Sequence, residues 1–376
     1  MQMAKRVAQE MKSPLGGLVG YHVRFDDKTS TETRIKFVTD GMLQRELIVD
    51  PLLQQYDCIV LDEVHERTVA TDVLLGVLRS LATPLKQGAT EKKQRRQPLR
   101  LVVMSATLNA KALSSYFHQA PVYYVPGRQF PVKIYYAPTP VNDYLDAAIS
   151  TLLQIHLVKP ILPNTALRGH ILCFLTGEEE ILLMRQQLLS IEASLPPKAP
   201  KVSFFFFPSV AFLSTQSDVT HPFAIQYIVC PFFAAQSEAA QKSVFEPLPA
   251  GSQTRKIILA TNIAETSLTI PGVQYVVDTG KTKITTYHAL SGVTSLDVKT
   301  CSKTQARQRL GRAGREAAGE CYRLWTEEAW QSSWQEEAEP ELARSDVSSV
   351  LLLLKAAGIH HHRQFPWLDP LPTEKG

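Results

Sequence analysis

The sequence predicts an α/β protein with parallel sheets arranged in two lobes, and three observations carry that expectation. Apolar strand-like runs at Tyr56–Leu61, Leu101–Met104, His170–Leu175, Lys256–Ala260 and Gln274–Asp278 alternate with helix-like stretches such as Asp143–His156 and Glu178–Leu189. The chain has 376 residues and 44% hydrophobic content, enough to bury two cores. Finally, the acidic run Asp62-Glu63-Val64-His65-Glu66-Arg67 follows directly on Cys58-Ile59-Val60-Leu61. Open parallel sheets bind ligands beyond the carboxyl ends of their strands, which is where this run falls.

In chain order, Ala4–Met11 has an amphipathic helical pattern and does not read as a secretory leader. The strand at Tyr56–Leu61 is expected to be a buried parallel strand that presents two carboxylates at its end. Asp62 suits a Mg²⁺ shell, and Glu63 suits orienting or deprotonating a water during nucleotide hydrolysis. For four such residues alone, a charged turn capping the strand is the better reading. Glu91-Lys92-Lys93-Gln94-Arg95-Arg96 reads as a solvated loop in preference to a nuclear-localisation patch. Pro126–Pro131 and Pro138–Pro140 bracket a hinge. The expected division is a first lobe over 1–126, a linker over 127–142, a second lobe over 143–326 and a further region over 327–376. Thr282–Asp297 alternates loosely around Ser291-Gly292, as a hairpin does. His360-His361-His362 reads as surface and not as a metal site.

The second informative run is Gln308-Arg309-Leu310-Gly311-Arg312-Ala313-Gly314-Arg315. Arg312 and Arg315 are three apart, so on a helix or tight turn they face the same way. Two planar guanidiniums so placed can clamp developing phosphate charge, a role lysine fills poorly. Gly311, Ala313 and Gly314 allow close approach to the backbone. A net charge of only +4 means that any nucleic-acid surface must be locally basic. The five cysteines, at 58, 173, 230, 301 and 321, form no Cys-x-x-Cys pair. That argues against a zinc or disulfide framework and fits a reducing cytosolic or nuclear compartment.

Residues 202–226 stand apart: Phe204–Phe207 precede Pro208, and among Asp, Glu, Lys and Arg the stretch holds only Asp218. The codons allowed at Lys201-Val202-Ser203 and at Ala224-Ile225-Gln226 include intron donor and acceptor sequences. We read this stretch as a retained intron in preference to a long apolar loop, which is an uncommon feature.

The two boxes resemble motifs II and VI of superfamily 2 helicases, and the spelling of the first resembles that of DEAH-box RNA helicases. Thr39–Leu43 resembles motif Ib, Ser105-Ala106-Thr107 motif III, Phe174–Ile181 motif IV and Ala260–Ser267 motif V. Val64 departs from the family's alanine. The resemblance implies two RecA-like lobes of the P-loop NTPase type, with ATP and Mg²⁺ as cofactors. Asp62 and Glu63, also the expected metal ligands, would face the nucleotide from one lobe, and Gln308, Arg312, Arg315 and Asp278 from the other. His65, Ser105, Ala106 and Thr107 would couple nucleotide state to lobe movement. Thr39, Thr176, Gly177, Thr261 and Thr266 would contact single-stranded or structured RNA with little sequence preference.

The family's activity is ATP-driven, 3′→5′ movement along RNA. Tyr21–Asp27, Asn142–Leu145 and Ser302–Ala306 most resemble its nucleolar branch, linked to ribosomal RNA processing. That implies a nuclear or nucleolar location, an activating protein partner and no membrane association.

One element is missing from the 376 residues: no Gly-x-x-x-x-Gly-Lys-Ser/Thr occurs. Gly280-Lys281-Thr282 has Tyr275 where the first glycine belongs. In the family the phosphate loop lies upstream of the helix resembling Ala4–Ala8, so the first lobe is expected to lack its phosphate-loop strand and to leave apolar strand faces open. Phe365–Pro370 resembles the linker into a winged-helix domain, and the family's channel-closing domains beyond it are expected to be absent. ATP binding by this polypeptide is expected to be weak and hydrolysis to be at background. The alternative reading is a non-catalytic RNA-binding or partner-docking helicase fragment.

Overall fold

The computed structural model describes residues 1–82, 95, 97, 99–106, 110–127, 129–159, 169–194, 226–249, 252, 254–265 and 269–371. Residues 202–225 of the proposed intron, most of the 91–96 run, Thr107 and Thr266 lie outside them. The chain divides into two units: Met1–Tyr123 with Thr286–Ser295 and Glu339–Gly376, and Tyr124–Thr285 with Leu296–Ala338.

Unit 1 begins with α1 (Gln2–Glu10), whose Ala4 and Ala8, one helical turn apart, pack on Val19 and Tyr21. Val19 and Tyr21 belong to β1 (Val19–Val23), which pairs antiparallel with β2 (Asp26–Lys28) and parallel with β3 (Ile35–Val38). Gly20 is obligatory here, because a Cβ would lie 2.3 Å from the Lys28 carbonyl oxygen. Next, α2 (Asp40–Val49) buries Leu43 and Leu47 on one stripe. β4 (Cys58–Leu61) leads through the acidic turn into α3 (Val69–Ala82), and β5 (Arg100–Val103) precedes α4 (Ala110–Tyr116).

β4 and β5 pair in parallel, from Cys58 opposite Arg100 to Leu61 opposite Val103. Their period-two alternation buries Ile59 and Leu61 against α3. The other face is open: Val60 is 53% exposed, Val102 45% and Met104 41%. The strand is thus buried on one face, and its other face is apolar and open, as expected. Arg95 also departs from its expected solvated position. It donates to the Leu52, Leu53 and Tyr56 carbonyls and so ties the β4 approach to the start of the β5 segment.

Unit 2 holds β6 (Val132–Tyr136), α5 (Tyr144–Val158), β7 (His170–Phe174), α6 (Glu178–Ser194), β8 (Gln226–Phe232), α7 (Glu238–Phe245), β9 (Thr254–Ala260) and β10 (Val273–Asp278). They are followed by β11 (Lys281–His288), β12 (Val293–Thr300), α8 (Lys303–Leu310), β13 (Gly319–Arg323) and α9 (Glu327–Ser332). Six strands form one parallel sheet in the order β6-β13-β10-β7-β9-β8. The span expected as a linker, 127–142, thus contains the edge strand β6, recruited by pairing with β13. β11 and β12 form the expected hairpin, turning at Gly292 with φ +65°.

β7 is buried at every position, as a central strand covered on both faces must be. Two adjacent cations on β9 point to opposite faces. Arg255 donates to the Ile155 and Lys159 carbonyls at 2.7 and 2.8 Å and closes the end of α5. Lys256 donates to the Ser243, Val244 and Glu246 carbonyls and closes the end of α7. Each satisfies carbonyls that a helix C-terminus leaves unpaired.

The remaining elements, α10 (Glu341–Arg344) and α11 (Ser348–Ala356), belong to unit 1 and are not part of a separate region. Val350, Leu354 and Phe365 share a core with Leu43, Leu47, Leu74 and Leu78. Among the described residues no helix is long and apolar enough to cross a membrane.

Candidate functional site

The acidic box is a tight turn at the C-terminal end of β4. Met104 donates to the Leu61 carbonyl at 2.8 Å and Val64 to the Met104 carbonyl at 3.1 Å, so the β4–β5 ladder runs into the turn. Val64, 1% exposed, is the apolar peg that seats it. Glu63 and Arg67 flank a 3-10 turn over Val64–Glu66, and both have left-handed backbone, with φ +50° and +49°. Such non-glycine conformations cost on the order of 1 kcal/mol each and persist where surroundings over-determine them. The Glu63 amide donates to Asp62 Oδ1 at 2.9 Å. Asp62 is exposed and Glu63 half-buried, so carboxylate oxygens face solvent at the strand end.

His65 joins this box to the loop after β5. Its Nδ1 accepts the Ala106 amide hydrogen at 3.3 Å and lies 3.5 Å from Glu63 Oε2. Burial pushes the imidazole pKa down, against the opposing pull of Glu63 and Asp62. A neutral ring with Nδ1 accepting fits that direction. Ser105 and Ala106 are exposed at the end of β5. Thr39 is the exposed N-cap of α2, without a side-chain cap bond.

Arg67, to which the sequence reading gave no role, ties the turn down. It is bidentate on Asp72, at 2.8 and 3.0 Å, and reaches Asp369 Oδ2 at 2.5 Å. Glu341 Oε2 accepts the Val69 amide at 2.9 Å, an N-terminal cap for α3 supplied by a distant segment.

In unit 2 the arginine box begins at α8, which opens with a capping box: Gln305 N donates to Ser302 Oγ at 3.2 Å and Ser302 N to Gln305 Oε1 at 3.0 Å. Arg309 is the anchor. Its side chain is 1% exposed, bonded to Glu265 Oε1 at 2.6 Å and Asp278 Oδ1 at 2.8 Å, and it stacks over the Phe174 ring. The two carboxylates hold its guanidinium charged, well above the ordinary value despite burial. Asp278, expected to face the nucleotide, is 0% exposed, and its Oδ1 takes both Arg309 and the Gly280 amide inside the unit.

Arg312 Nη2 donates to the Glu265 carbonyl at 2.6 Å, Gln308 is half-buried, and Arg315 is exposed. Gly314 permits the expected close approach: a Cβ there would meet the Phe130 oxygen at 2.6 Å. The signal for Arg309 was present but unused, since Ala306, Arg309 and Ala313 are all buried at i, i+3 and i+7.

Of the expected RNA contacts in unit 2, Thr176 is 7% exposed and its amide donates to Glu180 Oε2 at 3.0 Å. Gly177 is buried under the Lys283 ammonium, 3.0 Å from where a Cβ would sit. Thr261 is half-buried, its amide donating to the Phe232 carbonyl at 3.2 Å.

Chemically, Asp62 and Glu63 are hard oxygen donors of the kind that hold Mg²⁺ through one or two carboxylates while substrate phosphates and waters complete the shell. Among the described residues no cluster of three or more His, Cys, Asp or Glu could hold a metal ion.

Comparison with known proteins gives a consistent set. The family described as the helicase conserved C-terminal domain matches residues 198–317. The chain is 44% identical over 374 residues to the pre-mRNA-splicing factor ATP-dependent RNA helicase prp22 of Schizosaccharomyces pombe, covering 100% of the chain and 28% of that protein. It is 42% identical over 372 residues to the ATP-dependent RNA helicase DHX33 of Homo sapiens, covering 98% of the chain and 46% of that protein. The crystal structure of the Escherichia coli DEAH/RHA helicase HrpB superposes with a TM-score of 0.76 at 31% identity, over 100% of the chain and 41% of HrpB. The chain thus spans between about a quarter and a half of the length of the relatives it matches.

Proposed function

We propose, for a chain that belongs to the DEAH-box family of superfamily 2 helicases, that it serves ATP-driven RNA remodelling, with its acidic and arginine boxes acting on one nucleotide. The observation that carries the reading is the bond from the Ala106 amide to His65 Nδ1. It ties the carboxylate pair at the end of β4 to the Ser105-Ala106 loop, so a change at the phosphates can be passed to a second element.

In this reading Asp62 and Glu63 would hold Mg²⁺, which would supply charge stabilisation for the phosphates. Glu63 also orients the attacking water. Arg315 and Arg312 stabilise charge on the transferred phosphoryl group, with Gln308 beside them. Their placement favours these roles: Arg315 is exposed, and Arg312 is braced by the Glu265 carbonyl. Thr39, Thr176, Gly177, Thr261 and Thr266 hold the RNA backbone, the buried ones through main-chain groups. We assign the chain to the nucleus, and to ribosomal RNA processing in the nucleolus with a protein activator, on its resemblance to the nucleolar branch.

Residues 1–376 contain no phosphate loop, so this polypeptide by itself is expected to bind ATP weakly and to hydrolyse it at background rate. Titration of fluorescent RNA with and without a non-hydrolysable ATP analogue tests the reading. Linked sites require each ligand to change the other's affinity by the same factor. Independent binding favours the non-catalytic alternative, an RNA- or partner-docking helicase segment.

A further inference from the structure

The acidic turn is closed at both ends by one residue's neighbours. Glu66 N donates to the Glu63 carbonyl at 2.9 Å and Arg67 N to the Val64 carbonyl at 3.2 Å. Arg67 therefore completes the turn that Glu63 opens, in left-handed backbone that an unconstrained arginine would leave. What constrains it comes from both ends of the segment 339–371. At the near end, Glu341 N donates to the Arg67 carbonyl at 3.1 Å while Glu341 Oε2 takes the Val69 amide at 2.9 Å. At the far end, Asp369 Oδ2 takes Arg67 Nη2 at 2.5 Å, sharing the guanidinium with Asp72.

Between these grips the segment is docked. Val350 and Leu354 enter the core of α2 and α3. Phe365 lies so close to Gly76 that a Cβ there would meet its ring at 2.3 Å. The Tyr116 hydroxyl donates to the Pro366 carbonyl.

We infer that Arg67 is a positioning residue for the acidic box, and that the strap 339–371 is the element that holds it in position. The inference rests on the nucleotide role proposed for Asp62 and Glu63. Its guanidinium is engaged by Asp72 and Asp369, and it acts by fixing the turn that aims Glu63 and His65. Lysine cannot replace it, because one ammonium cannot be bidentate on Asp72 and reach Asp369 together. The two carboxylates differ in weight: the Asp72 side chain is 2% exposed and that of Asp369 58%. The outer contact is therefore the weaker and the more adjustable.

Amide hydrogen exchange on the 376-residue chain tests this, with Arg67→Lys, Asp369→Asn and Asp369→Glu. In Arg67→Lys the amides of Glu66, Arg67 and Val69 are expected to exchange on the order of tenfold faster. In Asp369→Asn they exchange about two- to fivefold faster, and in Asp369→Glu at the original rate. Peptides of β7 and β9 stay unchanged throughout.

Affinity for Mn²⁺ together with a non-hydrolysable ATP analogue, read by water-proton relaxation, is expected to fall in the same order and to recover in Asp369→Glu. Unchanged exchange at the turn overturns the inference. So does acceleration spread evenly over unit 1 with a lower melting temperature, the mark of a merely structural contact. Localised acceleration without any binding of Mn²⁺ and the analogue by the unsubstituted chain supports the positioning role and counts against the nucleotide reading instead.

Discussion

In unit 2, Arg309 sits at the carboxyl ends of β7 and β10, 1% exposed between Glu265 and Asp278, on a six-stranded sheet covered on both faces. In unit 1, Arg67 sits just beyond the carboxyl end of β4, 18% exposed between Asp72 and Asp369, on a two-stranded sheet with one open face. The device is the same in both, a guanidinium bridging two carboxylates below a loop. The dielectric differs. A buried triad fails badly when one member is removed, whereas a half-exposed one yields by small steps. Arg309 is thus a rigid anchor for its loop and Arg67 an adjustable one.

The contrast breaks most directly at Arg309. Arg309→Ala leaves Glu265 and Asp278 buried without a cation and is expected to cost unit 2 about 3–5 kcal/mol in urea unfolding. A loss below about 1 kcal/mol would mean that water reaches the pair and that the two anchors are alike.

The next effect is a pH dependence confined to unit 2. His156 is 2% exposed, and burial, with Arg255 nearby, pushes its pKa down to about 4. An unfolded histidine titrates near about 6.5, so between these values the unfolded chain binds more protons. Stability is then fully present above about pH 6.5 and falls by about 3 kcal/mol in all as the pH drops to about 4. His156→Phe should remove that part of the slope in denaturant melts across the range, and an unchanged slope would show that the imidazole is hydrated.

Ser302→Ala removes half of the capping box at α8 and should cost about 1 kcal/mol, seen as a lower urea midpoint with an unchanged slope. Smallest of all, Arg315→Ala and Asp62→Asn change exposed side chains and should move stability by less than about 0.5 kcal/mol by the same measurement. A larger loss from either would mark it as structural.

Much of this arrangement was legible in the sequence because it is written locally. β4, β5, β7, β9 and β10 are short apolar runs, and each was located to within about two residues. The β11–β12 hairpin followed from alternation around Ser291-Gly292. Asp62, Glu63 and His65 lie where a strand end must put them.

What stayed hidden depends on partners far away in the chain. β6 looked like hinge because its strand character comes from pairing with β13. Glu341 and Asp369 carry no local sign that they close the turn at Arg67. Asp278 looked like a nucleotide contact because sequence shows that a carboxylate ends β10 but not that Arg309 already occupies it. Arg309 itself was overshadowed by Arg312 and Arg315, although its spacing from Ala306 and Ala313 put it on the buried stripe.

The central claim is that the acidic and arginine boxes act on one nucleotide, and it is tested most directly by binding of Mg²⁺ with a non-hydrolysable ATP analogue. Isothermal titration would compare the 376-residue chain with Asp62→Asn, Arg315→Ala and the double variant, all of which should keep their fold. The account predicts weak binding that falls on the order of tenfold with either substitution, since each removes a charge from the same phosphates. Affinity that ignores both substitutions, or that depends on one box and not the other, contradicts it.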